Sequence, residues 1–144
     1  NIAIISRDYL LTKGTIFHFL TSGDKNKMKK FDDKIILLCE ELGLNEKIIE
    51  IDGKKYQNHI SKDDYRFSET EKLKLALVRA IYKDAPILIL DNFWHGFDEK
   101  NKNQIKTFIN KYTSKTTIIQ FTSKKDDVLI NTDKTYELEG GKLK

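Results

Sequence analysis

The chain has 144 residues, enough for one domain with a core of ordinary size. Apolar residues make up 39% and charged residues 33% of it, a globular and well-solvated balance with no run approaching the roughly 18 apolar residues of a membrane helix. The net charge of +4 comes from lysines interspersed with acids, which excludes the basic stripe of a nucleic-acid footprint.

Asn1 to Ser6, NIAIIS, predicts a short apolar strand, and a chain that opens inside a strand is expected to have had sequence before it. No signal-peptide pattern opens the chain. Gly14 then marks a turn, and Thr15 caps the start of a helix. Residues 23 to 34 are polar and lysine-rich, an exposed connection. Residues 32 to 44, DDKIILLCEELGL, predict a helix with acids in its first turn, an apolar face of Ile35, Leu38, Cys39 and Leu42, and Gly43 as its stop. Cys39 is the lone cysteine, so an internal disulfide is excluded and a reducing compartment fits. Its place on an apolar helix face makes it a packing residue. A second turn follows at Gly53, and residues 61 to 66 lead into the central stretch.

That stretch runs from Phe67 to Asp98, FSETEKLKLALVRAIYKDAPILILDNFWHGFD. Ser68 followed three residues later by Glu71 is a capping-box pattern. Leu73, Ala76, Leu77, Ala80 and Ile81 recur at helical spacing along one face. Pro86 pushes its predecessor out of helical geometry, so the helix ends by about Asp84. Ile87 to Leu90 is a continuous apolar run, as expected of a strand buried on both faces of a parallel sheet. Asp91 closes that run, at the strand end where open α/β sheets gather their ligands. Phe93, Trp94 and Phe97 are expected to pack. Asp98 caps a further helix to about Tyr112, with Ile105, Phe108, Ile109 and Tyr112 on one face. Thr116 to Phe121 is another buried strand, and residues 132 to 143 give a strand and a glycine turn. His18, His59 and His95 lie far apart and share no ligand spacing with Cys39, so no metal site is expected among them.

Taken in order, these segments resemble the nucleotide-binding domain of exporter-type ABC transporters. FSETEKLKLALVRA resembles the signature motif LSGGQ and its helix, and PILILDNFWHGFD resembles the Walker B strand and D-loop at the family's spacing. ISRDYLLTKGTIFHFL is similar to the Q-loop region, with Asp8, Leu11, Gly14, Thr15 and Ile16 matching. Thr122 and Ser123 stand where the family has Thr-His, the H-loop, and TDKTYELEGGKL resembles the family's closing segment. The resemblance covers the whole chain. It implies an α/β fold: a partial P-loop NTPase sheet of the ABC type, mainly parallel, with an inserted helical subdomain. The single partial domain spans residues 1–144, with the Q-loop strand at 1–6, the helical subdomain at 7–84, and the Walker B, D-loop, H-loop and C-terminal strands at 85–144. The family's P-loop strand would lie beside the H-loop strand, so the sheet is expected to be incomplete there.

The family's cofactors are ATP and Mg²⁺, and its partners are a transporter membrane domain and a second nucleotide-binding domain at the cytoplasmic face of a membrane. The resemblance assigns Arg7, Ser68, Asp91 and Asp98 to nucleotide contact, Asp91 to the metal, and Asn92 and Ser123 to the catalytic positions. Yet the phosphate cradle G-x-x-x-x-G-K-[ST] is absent from the sequence. Asn92 replaces the glutamate after Walker B, and an amide cannot take a proton from water; losing a general base typically costs a factor of about 10²–10⁴. Ser123 replaces the H-loop histidine, and Arg7 replaces the Q-loop glutamine with a side chain that cannot ligate a cation. Glu69 and Thr70 replace two signature glycines and Glu71 the glutamine, putting carboxylate where phosphate would approach. Ser68 therefore reads as an N-cap in preference to a phosphate contact, and Asp98 is explained equally well as the N-cap of the following helix. The expected function is a non-hydrolysing, inactive or regulatory half of an exporter's ATP-binding domain. The alternatives are a module that docks on a transporter membrane domain without nucleotide, through residues 7–20 and 54–66, and an active ATPase completed by a separate P-loop segment.

Overall fold

The computed structural model describes residues 2–6, 11–22, 33–94, 96–123 and 132–143. At its centre is a three-stranded sheet in the order β1 (Ile2–Ser6), β4 (Ile87–Asp91), β5 (Thr117–Phe121). Both pairings are parallel, with Ser6 opposite Asp91 and Asp91 opposite Phe121. Parallel neighbours cannot be joined by tight turns, so helices carry the crossovers. Between β1 and β4 lie β2 (Gly14–Thr15), α1 (Ile16–Thr21), α2 (Asp33–Glu41), α3 (Asn45–Glu50), β3 (His59–Ile60) and α4 (Glu69–Tyr82); α5 (Glu99–Tyr112) joins β4 to β5.

The local signals explain most element ends. Thr15 accepts the His18 N–H at 3.0 Å and starts α1. Gly43, at φ +68°, turns the chain after α2, and the Leu44 N–H returns to the Cys39 carbonyl at 2.8 Å. α4 ends before Asp84, which takes φ +54°, ahead of Pro86. The segment from 51 to 67 is held by polar contacts. Asn58 Nδ2 donates to the Ile51 and Lys55 carbonyls at 2.6 and 2.8 Å. Arg66 forks onto Asp64 at 2.9 and 2.7 Å and also reaches the His59 carbonyl. β2 and β3 pair antiparallel, so this segment is tied back to the start of α1.

Two expectations about burial need correcting. α4 is not buried along one face but around most of its girth, Lys72 and Lys74 included, because α1 and α2 pack against it as well as β1. Nor are the strands buried on both faces. Leu88 and Leu90 of β4 and Ile5 of β1 lie in the core, and a small cleft lined by Ala3, Ala80, Leu88 and Tyr112 marks where α4 and α5 meet the sheet. The alternate side chains point the other way, where the described residues supply no helix. There Ile2 and Ile4 are each 57% exposed, Ile119 42% and Phe121 57%. The described residues add no strand beyond β5 to this sheet. The final hairpin, β6 (Leu138–Glu139) with β7 (Lys142–Leu143), pairs only with itself through Gly140 and Gly141, both at positive φ.

Candidate functional site

The carboxyl ends of the three parallel strands bring a first group of residues together. Asp91 is half-buried at the end of β4, level with Ser6 and Phe121. Asn92 follows in the left-handed region, φ +44°, a conformation that asparagine tolerates better than most residues. Its N–H donates to the Phe121 carbonyl at 3.0 Å, continuing the ladder by one bond, while its side chain is exposed. Ser123 lies two residues past Phe121, exposed at the same end of the sheet. Arg7 falls outside the described residues.

Behind Asn92 the chain folds into an aromatic knot. Phe93 and Trp94 meet edge to face at 4.7 Å between centroids, and Phe97 lies 5.4 Å from Phe93 and 6.1 Å from Trp94. All three are buried, as expected of packing residues; the Trp94 indole N–H has no hydrogen-bond partner among the described residues. The knot fixes the turn that delivers Asp98 to the start of α5. Asp98 Oδ1 accepts the Asn101 N–H at 2.7 Å, and that bond holds its carboxyl below the usual carboxylate range.

The second group stands at the start of α4. Ser68 Oγ accepts the Glu71 N–H at 3.2 Å, and Glu71 Oε2 accepts the Ser68 N–H at 2.7 Å, closing both halves of the capping box. The same Oε2 takes Lys47 Nζ at 2.6 Å. Burial works to raise the Glu71 carboxyl, but Lys47 and the Ser68 N–H outweigh it and hold it low. Glu69 is bound by Lys72 at 2.8 Å. A helix N-terminus favours an anion, and here the chain's own carboxylates already stand in that place.

This donor set does not fit a nucleotide's phosphates. The Ser68 N–H is taken, an arriving phosphate would meet Glu69 and Glu71, and the sequence holds no glycine-rich cradle. Among the described residues no three of His, Cys, Asp and Glu come together as a metal site. The capping acids were legible in the sequence. Lys47 was not, because its partner Glu71 is 24 positions away and only the packing of α3 beside α4 brings them together.

No family model matches the chain. The chain is 22% identical over 142 residues to the ABC multidrug transporter MDR2 of Trichophyton rubrum, covering 98% of this chain and 10% of that protein. It is 24% identical to the mitochondrial iron-sulfur clusters transporter ABCB7 of Danio rerio, over 99% of this chain and 18% of that one. Against the ATP-dependent lipid A-core flippase of Ralstonia nicotianae it is 26% identical over 144 residues. Over nearly its whole length the chain is similar to ABC exporters. Among solved structures, a bacterial Atm1-family ABC exporter with ATP bound superposes with a TM-score of 0.69 at 19% identity, over 85% of this chain and 21% of that one. The fold is therefore a partial P-loop NTPase fold with a mainly parallel sheet. The chain spans between a tenth and a quarter of these relatives' length, 10% to 24% of the proteins named. Among the described residues no helix is long and apolar enough to cross a membrane.

Proposed function

We propose that the chain serves as a non-hydrolysing, inactive or regulatory part of an exporter's ATP-binding region, on the cytoplasmic face of a membrane. Its partners in this reading are a transporter membrane domain and a second nucleotide-binding domain. The observation that carries it is the start of α4, where Glu71, locked by Lys47 and the Ser68 N–H, takes up the donors that a signature motif would turn toward phosphate. Asn92 in the place of a general base, and Ser123 in the place of an imidazole, support the same reading. Phosphoryl transfer depends almost wholly on positioning and charge stabilisation, and neither is provided by these residues. Incubating the purified chain with Mg-ATP and measuring released phosphate tests this directly. Release at the buffer's own rate is expected, and turnover above it that disappears in Asp91→Ala would refute the reading.

A second reading, docking on a membrane domain without nucleotide, is favoured by one surface feature. Tyr65 is 94% exposed while both its neighbours are held, Asp64 and Arg66 by their mutual ion pair. An aromatic presented by a fixed loop costs little entropy to bind. The third reading, an ATPase completed by a separate P-loop segment, has Asn92 against it.

A further inference from the structure

We propose that Lys74 is a positioning residue whose charge fixes the starts of α4 and α5 against each other and against the end of α2. The proposal rests on the hydrogen bonds that Lys74 makes and does not depend on the functional reading above.

Lys74 lies in the second turn of α4 and is only 7% exposed. Its Nζ donates to the Leu42 carbonyl at 3.1 Å, just past the end of α2, and to Gln104 Oε1 at 2.8 Å, in the second turn of α5. Gln104 completes the link by donating from Nε2 to the Glu41 carbonyl at 2.8 Å. Two side chains thus satisfy two terminal carbonyls of α2, groups that have no partner within their own helix. The contacts span 32, 30 and 63 positions in sequence, so each ties together elements that chain connectivity leaves independent.

Burying an ammonium group is costly unless it is paired and hydrogen-bonded. An apolar side chain of the same length would fill this volume without that cost, so packing alone does not account for a lysine here. The charges around it indicate what the cation does. Burial disfavours its charged form, Lys100 adds to that, and Glu71 and Asp98 oppose it. Those two acids are the capping residues of α4 and α5. One buried cation on α4 is therefore bonded to the carbonyl end of α2 and to the second turn of α5, close to the acidic starts of α4 and α5. Ser68 and Asp98, which open α4 and α5, are held in register with the helical layer through it.

Hydrogen exchange on the intact chain, read at single amides, tests this. The reporters are Glu71 and Lys72 at the start of α4, Asn101 and Lys102 at the start of α5, and Gly43 and Leu44 after α2, all hydrogen-bonded in the native chain. In Lys74→Met these six should exchange about tenfold faster, the scale expected when buried polar partners are left unsatisfied, while the β4 amides keep their native rates. Lys74→Arg, which retains charge and donors, should bring the six back toward native rates. Uniform acceleration across the chain, no acceleration at all, or failure of arginine to recover any protection would each overturn the proposal. Should Lys74→Met not fold, Gln104→Leu removes the same link at a half-buried position and must give the same local pattern, or the proposal is wrong.

Discussion

Glu71 does three things with one carboxylate: it completes a helix cap, pairs with Lys47 and presents negative charge at the start of α4. Removing it by Glu71→Ala leaves the Ser68 N–H and a half-buried ammonium without their acceptor. The expected loss is about 1–2 kcal/mol, the usual range for a helix cap, measured as a shift of the urea midpoint at unchanged slope. The pH dependence has a definite sign. Glu71 and Asp64, the latter held down first by its hydrogen bond from Arg66, both have carboxyls lowered by folding. The unfolded chain therefore binds their protons at higher pH than the folded chain does. Their stabilisation is complete above the ordinary carboxylate range and is lost as pH falls through the lowered values. Urea unfolding from pH 7 to pH 3 should show stability falling over this acid range, with a smaller fall in Glu71→Ala. An equal fall in both proteins would show that Glu71 is not one of the responsible groups.

At the level of elements, how much could be read from sequence depended on how local the signal was. Ser68 with Glu71, Asp98, Thr15 and Gly43 mark helix ends through contacts within a few residues, and α1, α2, α4 and α5 begin or end where those residues place them. α3 carried no such mark, since Leu44 at its N-cap makes no side-chain bond. The pairing of β2 with β3 joins residues 44 and 46 positions apart and left no local trace. Apolar runs were the least informative signal. ILIL read as buried on both faces and TTIIQF as a buried strand, yet burial is decided by what packs on each face, and hydrophobicity alone does not report that. The two faces give a direct comparison. Leu88→Ala, in the core, should cost about 2–5 kcal/mol, whereas Ile4→Lys, on the open face, should change stability by about 0.5 kcal/mol or less. Paired thermal melts check this; a comparable loss for Ile4→Lys would mean that its face is covered in solution.

For the molecule as a whole, the order of segments carried more than any one of them. A strand, a capped basic helix, an apolar strand ending in Asp91, a capped helix and a further strand gave the parallel order β1-β4-β5, and relatives among ABC exporters match nearly the entire chain. The candidate site was legible as residue types at the expected places. What the sequence could not convey was how distant residues are engaged: Glu71 locked by Lys47, and Lys74 buried against the end of α2 and the second turn of α5. These engagements come from long-range packing, and the proposed loss of nucleotide binding rests on the first of them. The most direct test of that loss is a calorimetric titration of the intact chain with Mg-ATP. The account predicts no saturable heat up to millimolar nucleotide. A saturable isotherm that Asp91→Ala abolishes would contradict it, because the acidic strand end would then still hold a nucleotide site.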